Sequence, residues 1–207
     1  MYFKGILKKP YISLSDILDN NSFNDVKEKC FEEIEKSNCN IAKAYEFAVS
    51  TWPGIKSKLL GKMILLSESR TKLYKDIQSG DKRVHTKQYE NFKPFLDPWL
   101  KSLPFKEYGR VIFFITFANR EAAAHRDLES TYYVPPRNEF IWIPLTQKKF
   151  YILTSENEKV YPEDKIIWFN STDYHGVDPL PHEQISLRID GIFTDEFRKE
   201  IIRQNIH

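Results

Sequence analysis

The 207 residues suffice for one sizeable domain with a core of its own and little more, and a composition of 41% hydrophobic and 29% charged residues excludes a disordered chain. A net charge of +2, from 31 basic and 29 acidic residues, lacks the concentrated basic stripe of a nucleic-acid binder, and no run of about 18 apolar residues offers a membrane span. Cys30 and Cys39 lack the spacing of a zinc site or a disulfide scaffold, and residues Met1 to Gly5 lack a signal-peptide core, so a soluble, cytoplasmic protein with reduced thiols is expected.

The elements fall in two blocks that meet near Gly109. Asn21-Ser22 can cap a helix running to about Ser37, with Phe23, Val26, Cys30, Phe31 and Ile34 at helical spacing. Ile41 to Ser50 reads as a second helix, stopped by Trp52-Pro53-Gly54. Ser57 to Lys87 reads as an irregular cover or a pair of short strands. Tyr89 to Ser102 reads as a helix despite Pro94 and Pro98. After Arg110 the pattern becomes β: Val111 to Phe117, Phe140 to Leu145, Lys149 to Thr154, Lys165 to Asn170 and Gln184 to Phe193, with turn-forming clusters between them. Lys148-Lys149, like Lys8-Lys9, reads as solvated surface. Asp195 to Gln204 reads as a charged helix that docks on the core or is solvated.

Short strands without crossover helices indicate an antiparallel sandwich or barrel. The expectation is one α+β domain of mainly β core: a mostly helical N-terminal cover (1–108), the β core (109–194) and a helical tail (195–207).

The chemistry-bearing residues lie in the β block. His125 and Asp127 stand at i and i+2 beside a strand, so both side chains can point the same way. His175 follows fifty residues later, after the turn-rich Asn170-Ser171-Thr172-Asp173. Two imidazoles and one carboxylate on one face of a metal leave the opposite face open, the arrangement of the non-haem Fe(II) facial triad. Arg188 lies thirteen residues beyond His175 in Ile185 to Gly191, where alternation places Ser186, Arg188 and Asp190 on one face. An inward arginine needs an anionic partner, either a substrate carboxylate or a neighbour such as Asp190. His85, His182 and His207 have no partner at ligand spacing.

In order along the chain, His125-x-Asp127, distal His175 and Arg188 resemble the Fe(II)/2-oxoglutarate-dependent oxygenases, whose fold is a double-stranded β-helix (jelly roll) with N-terminal supporting helices. The resemblance spans Arg110 to Phe193 and is nearest in pattern to amino-acid or peptidyl prolyl and aspartyl hydroxylases. It implies iron ligation by His125, Asp127 and His175, with Arg188 gripping the distal carboxylate of 2-oxoglutarate. Many members have Arg-x-Ser where this chain has Arg188-Ile189-Asp190; an ionised Asp190 cannot donate to the cosubstrate and is expected to orient Arg188 or face elsewhere. Trp142 and Thr116 are then the candidates for a second carboxylate donor.

The chemistry implied consumes O2 and 2-oxoglutarate, yields succinate and CO2, and hydroxylates a C–H bond; an Asp at position 127 favours hydroxylation over halogenation. Asn119, Arg120, Arg126, Tyr132, Tyr133, Arg137 and Asn138 flank the expected mouth and suit an amino acid, a peptide or another small molecule, with Arg126 pointing away from the metal. Two other readings stay open: a cupin-like metal enzyme that does not use 2-oxoglutarate, and a non-catalytic jelly-roll binding module.

Overall fold

The computed structural model describes residues 9–18, 20–40, 45–46, 61–69, 83–126 and 139–205. The first half contains β1 (Tyr11–Ser13), α1 (Asn20–Asn40), β2 (Tyr45–Glu46), β3 (Gly61–Ser69), β4 (Arg83–His85) and α2 (Tyr89–Ser102). The second half contains β5 (Phe105–Thr116), β6 (Ala122–His125), β7 (Phe140–Pro144), β8 (Phe150–Leu153) and β9 (Lys159–Val160). Then follow β10 (Ile167–Phe169), β11 (His175–Val177), β12 (Gln184–Phe193) and α3 (Asp195–Asn205).

The strands form two antiparallel sheets. The larger runs β1-β10-β7-β12-β5-β3-β2, with β4 on β3; the smaller runs β6-β11-β8-β9. From β5 to β12 the chain passes repeatedly from one sheet to the other, so strands distant in sequence become neighbours in both. That winding makes the core a double-stranded β-helix, the expected jelly roll. Its long axis is β12, paired to β5 on one edge and β7 on the other. Phe150 of the small sheet packs against Trp142 and Phe169 of the large one at 4.6 and 4.8 Å between ring centres.

α2 runs through Pro94 and Pro98 without a break. A mid-helix proline costs about 3 kcal/mol. Tyr89, Phe92, Leu96, Trp99 and Leu100 form one buried stripe, and each such side chain returns about 1.5–3 kcal/mol on burial. The stripe rests on the large sheet through Phe92 on Phe113 (5.4 Å) and on α1 through Trp99 on Phe23 (5.1 Å). Phe23, Val26, Cys30 and Ile34 are the buried face of α1, as expected; burial pushes the Cys30 thiol up to about 12, leaving it unreactive. α1 begins at Asn20, so Asn21-Ser22 lie inside its first turn rather than before it.

The N-terminal half is less helical than its periodicity indicates. β1, β2, β3 and β4 all join the large sheet, and β5 starts at Phe105 rather than near Arg110. Of the expected helix Ile41 to Ser50, the two described residues, Tyr45 and Glu46, are strand, paired with Met63 and Lys62. β3 is strand because β5 offers it an unpaired edge along Gly61 to Ser67, a demand that local propensity does not carry. No helix among the described residues is long and apolar enough to cross a membrane.

The C-terminal helix is docked, not solvated. Thr194 caps it, accepting from Phe197 N at 3.2 Å. Phe197 and Ile201 are buried, and Arg198 forms a two-pronged ion pair with buried Glu139, at 2.6 and 3.0 Å.

Candidate active site

The small sheet places its two histidines side by side. β6 and β11 pair with His125 directly opposite His175, and their ring centres lie 4.6 Å apart at 52° between planes. A metal–nitrogen bond of about 2.1 Å, plus about 1.1 Å from nitrogen to ring centre, puts two imidazole centres about 4.5 Å apart when they bind one ion at right angles. The observed spacing therefore fits a shared ion. His125 Nδ1 donates to the carbonyl of Ala123 at 2.8 Å, and His175 Nδ1 to that of Asp173 at 2.9 Å. A carbonyl only accepts, so in the neutral ring each Nδ1 holds the proton and each Nε2 the lone pair that a metal takes.

The approach to His175 is shaped locally. Asn170 Oδ1 accepts from Thr172 N and Oγ1, and Asp173 N donates to Asn170 O at 2.9 Å, turning the chain into β11. Gly176 permits the next step, since a Cβ there would lie 2.6 Å from Ala122 O and 2.5 Å from Tyr151 Oη. The first contact is backbone and cannot yield without moving β6. A Gly176→Ala protein is expected to lose about 1–3 kcal/mol of stability, measured by urea unfolding; an unchanged midpoint would show that β6 and β11 separate freely.

Both rings open on a cavity of about 120 Å³ between the sheets. Thr116, Trp142 and Arg188 stand on its wall with His125 and His175, so these expected site residues converge. Asp127 lies outside the described residues, as do Tyr132, Tyr133, Arg137 and Asn138. Among the described residues no group of three His, Cys, Asp or Glu side chains forms a metal cluster.

Arg188 is buried, with its guanidinium 3.9 Å over the Phe140 ring. Its Nε donates to Asp190 Oδ1 at 2.9 Å, while Arg110 Nε donates to Asp190 Oδ2 at 2.8 Å. Asp190 does orient Arg188, as one of the two sequence expectations has it, and it also ties Arg188 to β5.

Lys148 corrects the sequence reading. It is not solvated surface: it lines the cavity, its Nζ donates to buried Ser186 Oγ at 2.8 Å, and it lies 5.3 Å over the Trp142 ring, whereas Lys149 is exposed. Its parity with inward-facing Phe150 was the available signal. Among the described residues no carboxylate lies within ion-pair distance of it, and burial lowers its pKa to about 7 from the ordinary 10.5. The unfolded chain thus holds one more proton between those values, so stability rises with pH across that window and this group adds no slope below it. Replacing Lys148 by Met is expected to raise the urea midpoint near neutral pH and to flatten the rise towards about pH 9.5. An unchanged slope would contradict the inward placement.

The remaining candidates stay outside the cavity. Arg126 is exposed and stacks on Tyr174 at 4.1 Å, pointing away as expected, and Arg120 is exposed. His85 packs on Tyr89 at 3.8 Å, and burial, with Arg83 nearby, lowers its pKa. His182 is exposed.

No protein-family model matches this chain, and no curated protein matches it in sequence. Solved structures that it resembles include a prolyl hydroxylase from Trichoplax adhaerens in complex with a hypoxia-inducible-factor peptide fragment (12% identity, 86% of this chain and 81% of that one, TM-score 0.49). A Pseudomonas putida prolyl-4-hydroxylase is similar at 11% identity over 80% of this chain and 84% of that one, with a TM-score of 0.46. A viral collagen prolyl hydroxylase from Paramecium bursaria Chlorella virus-1 is similar at 11% identity over 88% and 94%, with a TM-score of 0.42. The assignment of fold rests on the strand order and pairing given above.

Proposed function

We propose that the protein is an Fe(II)- and 2-oxoglutarate-dependent oxygenase that hydroxylates a C–H bond of an amino acid, a peptide residue or a similar small molecule. The observation that carries this reading is the His125–His175 pair, held across two strands at the spacing of shared ligands, on a cavity that also bears two buried-side cations. Asp127, two residues beyond His125, would complete the ligand set with a carboxylate. When bound, iron with 2-oxoglutarate would supply the oxidising chemistry, consuming O2 and releasing succinate and CO2.

The chain's own residues do the rest. The carbonyls of Ala123 and Asp173 hold the imidazoles in one tautomer and orientation. Trp142, Phe150 and Phe169 wall the cavity with apolar surface, which keeps water from the reacting centre. Arg188 and Lys148 give it the positive charge that a dicarboxylate requires. The test is anaerobic titration with Fe(II), followed by an assay of succinate release from 2-oxoglutarate across pooled amino acids and peptides. Stoichiometric iron binding with 2-oxoglutarate consumption is expected. Iron-dependent turnover that ignores 2-oxoglutarate would replace this reading with a cupin-like enzyme, and neither iron binding nor turnover would leave a binding module.

A further inference from the structure

One polar cluster of the small sheet lies outside the cavity. Phe150 and Tyr151 are neighbours on β8, so Phe150 faces the cavity and Tyr151 the outer side of the sheet. Tyr151 stands opposite Gly176, the residue after His175, and a Cβ on Gly176 would lie 2.5 Å from its Oη and 2.7 Å from its Cζ. The phenol thus rests directly on the backbone that carries His175. Tyr161, just beyond β9, meets Tyr151 edge to face at 6.2 Å between ring centres. Tyr151 is buried and Tyr161 is 43% exposed, so the pair leads from the site to solvent.

The two phenols differ in what surrounds their protons. Tyr161 Oη donates to Asp178 Oδ2 at 2.6 Å, the length of a charge-assisted bond. Asp178 is fixed in turn by Lys159 Nζ at 2.6 Å and, through its carbonyl, by Gln184 Nε2 at 2.8 Å. Tyr151 Oη has no hydrogen-bond partner among the described residues, and burial raises its pKa. The Lys159 ammonium lies 4.2 Å over the Tyr151 ring, where it opposes further positive charge. A phenol loses an electron readily only when its proton can leave with it. An electron vacancy on Tyr151 therefore passes outward and comes to rest on Tyr161, whose proton Asp178 can take.

We propose that Tyr151 and Tyr161 form an electron relay that returns the site to its resting state when O2 is consumed with no substrate to hydroxylate. This rests on the oxygenase reading. In such a turnover one atom of O2 enters succinate, and the other needs two electrons and two protons to leave as water. Each electron passes from Tyr151 to the site and from Tyr161 to Tyr151, while the Tyr161 proton moves to Asp178. A soluble one-electron reductant then refills the neutral Tyr161 radical, and Asp178 returns the proton. Two passages, with two protons from solvent, complete the reduction.

The test mixes the Fe(II)-loaded protein and 2-oxoglutarate with O2, without hydroxylatable substrate or reductant, and follows freeze-quenched samples by electron paramagnetic resonance. A tyrosyl signal is expected in the parent. Tyr161→Phe and Tyr151→Phe, which keep the rings and remove the phenols, are each expected to lose it, with circular dichroism confirming the fold. Asp178→Asn, which removes the proton acceptor, should lose it as well, and Tyr11→Phe, on β1 of the large sheet, should keep it. In the two phenol-removing variants, peptide mass spectrometry should instead show oxygen added to the cavity aromatics Trp142 and Phe150. A parent that releases succinate without a tyrosyl signal, or whose signal survives either phenol-removing change, overturns the relay and leaves the oxygenase reading intact. A parent that releases no succinate under these conditions also overturns the relay. Only if pooled amino acids and peptides elicit none either does the oxygenase reading fall with it.

Discussion

A His175→Ala protein is expected to lose Fe(II) affinity by more than about 100-fold, because second-sphere changes alone cost 10- to 100-fold and this change removes a ligand itself. Succinate release should fall in step. The fold should survive the change, since β11 is held to β6 and β8 by main-chain pairing rather than by the imidazole. His125→Ala should behave alike. His182→Ala, on an exposed residue outside the cavity, is the matched control and should bind iron as the parent does. Equilibrium dialysis against Fe(II) under nitrogen, with circular dichroism to confirm folding, reads the difference; parental iron affinity in either cavity variant would remove the metal centre from the proposal.

The second large effect concerns stability. Replacing Glu139 by Ala is expected to cost about 3–5 kcal/mol, because it leaves the buried Arg198 guanidinium only its pairing with exposed Asp195 and takes the acceptor from Phe193 N, which now donates to Glu139 Oε2 at 2.8 Å. Arg198→Leu should cost a similar amount by exposing the opposite deficit. The double variant Glu139→Leu/Arg198→Leu should be more stable than the sum of the two single changes implies, since it removes both charges and leaves neither unpaired. Urea unfolding of the four proteins forms the cycle. Strictly additive losses would show that α3 is held by Phe197 and Ile201 alone.

The two effects lie on different links of the same chain. Glu139 precedes β7 and Arg198 follows β12, so their ion pair ties α3 to the strands that carry Trp142 and Arg188. Loss of that tie acts on the site only through the fold, whereas loss of His175 acts on the site alone. Unfolding and iron binding measured together on both variants separate them.

Much of the β half was legible in the sequence. Val111 to Phe117, Phe140 to Leu145 and Gln184 to Phe193 are dense in β-branched and aromatic residues; each became a strand, the last two close to their expected bounds and the first extended back to Phe105. α2 was legible from its apolar stripe, even against two prolines. The histidine pair was legible as spacing, and alternation put Ser186 and Arg188 on the inner face, where both line the cavity. By contrast β11 is only three residues long, too short to announce itself, and its pairing makes His175 and His125 neighbours. Periodicity needs length to be read; pairing does not.

What the sequence determined by itself is therefore the alternation of its strands and the residue types at inward positions, because a pleated strand fixes parity through its own covalent geometry. It placed two imidazoles and an arginine at positions that line one cavity. Only the tertiary structure decided which partner each group meets. Asp190 lies between Arg188 and Arg110, which is eighty residues away, and Lys148 reaches Ser186 across thirty-eight. Those choices depend on which strand lies beside which, and strand order follows from closing two sheets over one core. Local sequence carries no record of that closure.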